Sequence, residues 1–488
     1  MVKFITNYYI SIKMNRNIIL LVLVLGTLMA AVDGTIVLLA LPEIAQDLHS
    51  DLFTSIWVLL AYLLVSAILS TQTGRIGDIY GRAKIFNLGF VIFTVASALC
   101  GLSNSIYLLI AFRLVQGVGG AMMSANSGAI VADHFPPNMM GRAYGYTSLG
   151  WNIGALVGIV LGGTLTTFFG WPYIFYINVP IGIVSVILGV KYIKDVNKVP
   201  KKLDIVGALT IGLSLVLISY SSITIASVGL SLNMIAILMI GLALLGVFLY
   251  NESKVSNPII DLNAFKYRLL GYSLTASFLQ SIGGLAITFL LIMYLQGVRG
   301  LSPLDSSLIL LPGYVIASFL APYMGRLSDR YGSRWLATLG LAIIMLSVIL
   351  YYVVLTPNAS YLTILIVSGI NGVGSGMFWP SNTSAIMSSA PKGYFGSISG
   401  LSRTLGGIGT ILSYVISLTV AAAAIPKYVA FEIFLGTSKL DGGLSSVFVV
   451  GLHYAFLLSA LILAGATVLS FMRGKETRTE KVRTENAK

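Results

Sequence analysis

The sequence predicts an all-α membrane protein of 14 transmembrane helices, on three observations. The 488 residues are 57% hydrophobic and only 10% charged, against about 25% charged in an ordinary soluble domain. The mean hydropathy is +0.91, and the apolar residues fall in runs that match the roughly 20 helical residues needed to cross a bilayer. The third observation is a repeat. Gly74-Arg75-Ile76-Gly77-Asp78-Ile79-Tyr80-Gly81-Arg82 returns 251 positions later as Gly325-Arg326-Leu327-Ser328-Asp329-Arg330-Tyr331-Gly332-Ser333-Arg334. A repeat that long marks a duplicated bundle, not a short solenoid unit.

The first run, 17–41, follows Lys13 and Arg16, and Ala30-Ala31 imitates a leader cleavage site; because the run continues past Asp33 to Leu41, a retained helix is expected. Spans follow at 53–73, 84–102, 106–131, 141–165 and 172–192. The repeated stretch joins the second span to the third. It is expected as a tight charged turn in which glycines let two helix ends approach. After Lys191–Lys202, which reads as a basic linker, come spans at 204–224 and 232–250. The segment Asn251–Arg268, with Pro258, is expected along the membrane surface. The last six spans are 270–295, 305–325, 335–355, 361–386, 395–421 and 447–471, and the loop 422–446 reads as solvated. Gln116-Gly117-Val118-Gly119 in the fourth span matches Asn371-Gly372-Val373-Gly374 in the twelfth. The duplication therefore pairs a six-helix half at 17–192 with another at 270–471. Residues 193–269 form a linker with two additional helices, and 472–488 a tail.

An even number of spans puts both termini on one side. Lys and Arg decide which: 25 lie in the two tails and the even-numbered connections with their margins, against 3 in the odd-numbered connections. The basic side is expected to be cytoplasmic, in the cell membrane. The net charge of +13 is thus explained by an anionic inner leaflet and does not point to nucleic acid. The one cysteine, Cys100, cannot form a disulfide within the chain. No Gly-x-x-x-x-Gly-Lys-Ser/Thr occurs, so active transport would draw on an ion gradient or a partner ATPase. No metal-ligand cluster and no nucleophile–base set stands out, which disfavours an enzyme. No cofactor or metal is expected.

Asp33 is the one acidic residue well inside a predicted span. A charge at the bilayer centre costs about 3 kcal/mol or more, so it needs a partner, a proton or water. Arg113 is the natural partner. Asp33 lies about 12 Å from the outer end of its span and Arg113 about 10 Å, at 1.5 Å per residue. The pair is either a fixed lock between two helices or an ionisable site whose occupancy changes during a cycle. It is not duplicated: Ser368 stands at the equivalent of Arg113, and no acid occurs around Gly284–Thr288. Arg403 is a second intramembrane charge, either in a cavity or snorkelling to the near surface. Gly150, Gly154, Gly158 and Gly162 put small residues along one face of the fifth span, a groove expected to pack against the other half.

The repeated stretch resembles the loop between helices 2 and 3 of the major facilitator superfamily, Gly-x-Leu-Ala-Asp-Arg-x-Gly-Arg-Lys. Gly74, Asp78, Gly81, Arg82 and Lys84 match in the first copy, where Ile79 departs, and Arg330 is kept in the second. Asp33-Gly34-Thr35-Ile36-Val37-Leu38-Leu39-Ala40-Leu41-Pro42 resembles the Asp-x-Thr-Ile-Val-x-x-Ala-Leu-Pro signature of the fourteen-helix drug/proton antiporter family. Trp171-Pro172-Tyr173-Ile174-Phe175-Tyr176-Ile177-Asn178-Val179-Pro180 is similar to that group's Trp-Arg-Trp-Ile-Phe-x-Ile-Asn-Val-Pro, with Pro172 and Tyr173 departing. Arg113 with Gln116, Gly117 and Gly119 resembles the family's Arg-x-x-Gln-Gly-x-Gly; Ile159 replaces the proline of the antiporter signature on the fifth helix.

The resemblance implies a major facilitator fold and proton-coupled efflux. It implies proton coupling at Asp33 and Arg113, and gating by Gly74, Asp78, Gly81 and Arg82 with Gly325, Asp329, Arg330 and Gly332. A cavity would draw on Trp57, Tyr62, Gln116, Asn126, Trp151 and Asn152 from the first half, and on Gln280, Tyr294, Tyr314, Asn371, Phe378, Trp379, Asn382 and Arg403 from the second. Such a lining suits a lipophilic or amphipathic, drug-like small molecule, cationic ones included. The expected partners are that substrate, protons and the lipid bilayer, and the expected state is a monomer. The competing readings are an exporter of one dedicated metabolite or lipid, a channel, and a non-transporting membrane sensor.

Overall fold

The structure is a computed structural model that describes residues 2–135, 137–195, 204–255, 258–260, 265–389, 395–423 and 444–474. Among them 14 helices are long and apolar enough to cross a membrane, and there is no strand. A lipid-embedded chain takes this form because every helical N–H and C=O finds its partner within its own segment.

In chain order the helices are α1 (Val2–Asp47), α2 (Leu52–Tyr80), α3 (Arg82–Gly101), α4 (Ile106–His134), α5 (Pro137–Phe169), α6 (Tyr173–Tyr176), α7 (Asn178–Tyr192), α8 (Ile205–Val228) and α9 (Leu232–Glu252). They continue as α10 (Arg268–Gly284), α11 (Ala286–Met293), a π-helical turn (Tyr294–Val298), α12 (Pro303–Tyr331), α13 (Ser333–Val354), α14 (Tyr361–Ser388), α15 (Phe395–Ala423) and α16 (Leu444–Met472). Short polar residues before the apolar runs start several of them. Asp51, Ser105, Asp204, Ser231 and Ser302 each accept a hydrogen bond from the backbone N–H three residues on, which satisfies a donor the first turn would leave bare.

Several expected boundaries are corrected. The repeated stretch is not a turn of ten residues. Gly74–Tyr80 forms the last two turns of α2, and one glycine, Gly81 at φ +118°, makes the whole reversal into α3. Gly332 at φ +89° does the same between α12 and α13. Only a residue without a Cβ enters that region without strain. The first span runs past Leu41 and Pro42 to Asp47. Proline removes one backbone bond, but Ile44 and Ala45 beyond it are buried and hold the helix on. Asp33 therefore sits about 21 Å from that end by rise per residue, near mid-helix. The sixth and ninth spans are broken, at Ile177 and around Leu285. Residues 196–203 of the linker, 261–264, 424–443 of the long loop and the tail from 475 lie outside the described residues, as do the side chains of Asp329 and Arg330.

Packing groups α1–α7 around α1–α5, α2–α4 and α3–α4 contacts, and α10–α16 around α12–α14, α13–α14 and α10–α16 contacts. The duplication is visible at single residues. A Cβ on Gly89 of α3 would lie 2.9 Å from the carbonyl of Gly119 on α4; one on Gly340 of α13 would lie 2.8 Å from the carbonyl of Gly374 on α14. These are the same crossing built twice. Between the two groups run two seams, α5–α12 and α2–α15, and the α8–α9 hairpin lies against the second.

The glycine groove of α5 holds a different neighbour from the one expected. Cβ atoms on Gly150, Gly154 and Gly162 would press on Thr27, on the Leu28 carbonyl and on the Ile36 carbonyl, and one on Gly158 on Thr35, all on α1. The small residues let α1 and α5 of the same group approach. Only the neighbouring Gly163 meets the other group, at Pro303 and Leu304 of α12.

Candidate functional site

The site begins with two charges that apolar helices bury. Asp33 of α1 and Arg113 of α4 are both 0% exposed. Arg113 Nη1 donates to Asp33 Oδ2 at 2.6 Å and also to Gln116 Oε1 at 2.7 Å. Gln116 sits one turn on along α4, so it can turn its amide back: Nε2 donates to Asp33 Oδ1 at 2.9 Å and to Ser97 Oγ at 3.1 Å. Asn178, the first residue of α7, donates to Ser97 Oγ at 3.1 Å and to Asp33 Oδ1 at 3.5 Å. The break between α6 and α7 brings Asn178 to this point. Arg113 Nε donates to the Val58 carbonyl of α2 at 2.8 Å, and its guanidinium lies 4.5 Å from the Tyr62 ring centroid and 5.7 Å from that of Phe175. Two atoms are left over: Arg113 Nη2 and Asn178 Oδ1 have no hydrogen-bond partner.

Of the residues expected in a cavity, Tyr62 and Gln116 thus belong to the charged centre. Ser97 and Asn178 were missed as partners. Asn178 lies in the Ile-Asn-Val-Pro stretch, which could have flagged it; Ser97 is one serine among many in apolar spans and carries no such signal.

The other expected cavity residues are dispersed. Trp57 lines a cleft of about 380 Å³ with Thr54, Tyr107, Ile110, Tyr220, Ile223 and Thr224, between α2, α4 and α8. Asn126 donates to the Thr73 and Met122 carbonyls and fills the space that Gly77 leaves. Trp151 is half-exposed, and the Asn152 carbonyl accepts from Ser318 at 3.5 Å across the α5–α12 seam. Tyr294 donates to the Thr356 carbonyl at 2.6 Å. Tyr314 shares a hydrogen bond with Thr288 at 3.2 Å, and Asn371 donates to Ser347 at 2.9 Å. Gln280 and Phe378 are buried, and Trp379 packs on Phe378 with ring centroids 5.3 Å apart. Asn382 accepts from Arg473 at 3.0 Å. Arg403 is exposed.

At the base of α2, Arg82 donates through Nε to Asp78 at 2.8 Å and through Nη1 to Asp133 of α4 at 2.7 Å. Asp133 is a partner that sequence reading missed. The carboxylate of Asp195, after α7, accepts from Ala83 N at 2.8 Å and occupies the space beside Gly81. Gly74 and Gly325 face Ala125 and Pro380 at van der Waals distance. Among the described residues no group of three His, Cys, Asp or Glu is placed to hold a metal ion.

Residues 23–414 match the family described as Major Facilitator Superfamily. The chain is 33% identical, over 80% of its length and 85% of the relative's, to the riboflavin transporter RibZ of Clostridioides difficile. It is 30% identical to the multidrug resistance protein Stp of Mycobacterium tuberculosis, over 84% of this chain and 77% of that one. Among solved structures, a bacterial homolog of the human lysosomal transporter Spinster, inward-facing and unoccupied, superimposes with a TM-score of 0.64 at 17% identity, covering 94% of this chain and 97% of that one.

Proposed function

Since the chain belongs to the Major Facilitator Superfamily, and is therefore a multi-pass membrane transport protein and not an enzyme, we propose that it is a fourteen-helix drug/proton antiporter. In this reading it exports lipophilic or amphipathic small molecules, cations included, by alternating access, works as a monomer, and keeps both termini in the cytoplasm. The halves that rock are 17–192 and 270–471, with 193–269 carrying the inserted helices. Asp78, Arg82 and the glycines of the two reversals fasten the cytoplasmic ends.

The observation that carries the reading is the buried Asp33–Arg113–Gln116 network. One nitrogen, Nη1, serves both Asp33 and Gln116, while Nη2 is bare. When a proton reaches Asp33, its claim on Nη1 weakens, and Arg113 keeps Gln116 and the Val58 carbonyl. The pair can thus part without leaving either group in hydrocarbon with no partner, which a coupling site requires. The multidrug proteins among the relatives support the substrate class.

The riboflavin transporter favours a second reading, a carrier for one dedicated metabolite with a heteroaromatic ring. Reconstituted vesicles with an imposed pH gradient distinguish the two. Uptake of several unrelated lipophilic cations supports the first; movement of riboflavin or another single solute and no cation supports the second. Flux indifferent to the counter-gradient indicates a channel and sinks both. If the Asp33→Asn protein still moves protons against substrate at the wild-type ratio, the coupling site lies elsewhere.

A further inference from the structure

A pair of buried acids lies at the basic end, where the inserted hairpin meets α2. Asp204 caps α8 and Glu252 closes α9; they are 5% and 3% exposed. Each uses one oxygen on a backbone donor: Asp204 Oδ1 accepts from Gly207 N at 2.8 Å, and Glu252 Oε2 from Ile260 N at 2.7 Å. The other two oxygens, Asp204 Oδ2 and Glu252 Oε1, are buried without a partner. They face the same point: a Cβ on Gly207 would collide with Asp204 Oδ2 and lie 2.8 Å from Glu252 Oε1. Gly207 leaves open the space the two carboxyl groups share.

Other atoms converge there. Gln72 of α2 donates through Nε2 to the Asp204 carbonyl at 2.8 Å, and its Oε1, on a side chain 6% exposed, is also without a partner. Arg75 donates through Nη2 to the Pro258 carbonyl at 2.5 Å and leaves Nη1 bare. The charged group that faces the two acids from α2 is Arg75; Asp78 lies near Arg75 and is bonded to Arg82. Among the described residues this leaves one cation, Arg75, against two buried carboxylates. A carboxylate disfavours the charge of another beside it, and the two free oxygens border one gap at Gly207 with no hydrogen-bond donor on either.

We propose that Asp204 and Glu252 form a second proton-binding site, separate from Asp33, in which one proton is held between Asp204 Oδ2 and Glu252 Oε1. The bound proton neutralises the cluster. It keeps the 258–260 strap fastened to Arg75 through Pro258 and to Glu252 through Ile260. That strap leads into α10, so the proton ties the inserted hairpin, the repeated stretch of α2 and the start of the second group of helices. When the proton leaves to the aqueous phase, two adjacent anions remain and the fastening loosens.

The test is infrared difference spectroscopy on the purified full-length protein at pH 7, comparing wild type with Glu252→Gln. The expected result is a protonated-carboxyl C=O band in wild type, shifted in D2O, that is missing from Glu252→Gln and disappears as pH is raised. Its absence means both groups are ionised and overturns the proposal. A band that sodium or magnesium chloride abolishes at fixed pH also overturns it, in favour of a metal-cation site. Should Glu252→Gln fail to accumulate, Asp204→Asn serves the same subtraction, since the shared proton depends on both acids. Asp33→Asn should leave this band unchanged, which separates the result from the coupling role given to Asp33.

Discussion

Arg113 touches five neighbours and still has a free nitrogen, and that sets the cost of changing it. Removing one member of a buried, hydrogen-bonded ion pair strands the other and costs roughly 3–5 kcal/mol. Asp33→Asn should therefore lower the unfolding temperature in detergent as well as stop coupling. Asp33→Asn combined with Arg113→Gln should regain much of that stability while remaining inactive, because neither charge is left alone. If the double variant is no more stable than Asp33→Asn, the pair is not coupled in the folded state. Arg113→Lys keeps the charge but cannot reach Asp33, Gln116 and the Val58 carbonyl at once. It should keep part of the stability and lose most of the transport, read as proton flux in vesicles. The two charges were legible in the sequence because charges inside apolar runs are rare; their matched depth was counted from an α1 end at Leu41, although the helix runs on to Asp47. Ser97 was not legible, since small polar side chains occur in many spans for many reasons; Asn178 stood in the Ile-Asn-Val-Pro stretch, but nothing in the sequence tied that stretch to Asp33. Asp204, Glu252 and Asp133 sit at span ends, where an acid reads as solvated until the fold buries it.

At the scale of a helix, the glycines divide by what stands opposite them. Gly154 and Gly158 face the backbone of α1 at distances that admit no Cβ, whereas Gly34 faces nothing within 4 Å. Gly154→Val and Gly158→Val should each push α1 from α5 and destabilise by roughly 1–3 kcal/mol, the usual cost of overpacking. Gly34→Ala should be neutral or slightly stabilising, because it removes backbone freedom without a clash. Thermal unfolding in detergent reads all three, and equal losses would mean the groove is not where α1 packs. The four-residue spacing showed that α5 carried a groove. It did not show which helix fills it, since any close neighbour satisfies a row of small residues. The extent of α2 and α12 was hidden for a related reason: charged residues in the repeated stretch suggested a loop, yet a helix that outruns the hydrocarbon carries charges on its last turns at little cost.

At the scale of the whole molecule, the two groups of helices meet along two seams. Near the basic end, Thr71 of α2 and Thr404 of α15 are hydrogen-bonded at 2.8 Å. Toward the opposite end, Gly163 of α5 abuts Pro303 and Leu304 of α12. If the groups rock as bodies, each seam must part in one half of the cycle, and fixing either should arrest transport while leaving the resting fold intact. Cys100 is the chain's one cysteine and is buried, so a Cys100→Ala background carrying Thr71→Cys and Thr404→Cys offers a clean pair. A short thiol crosslinker should abolish gradient-driven flux, and a cleavable version should restore it on reduction. The same protein with only one of the two cysteines should be indifferent to the reagent. Full flux in the crosslinked double variant would mean that the α2–α15 seam never opens, and that substrate passes by a route which does not require the two groups to move apart.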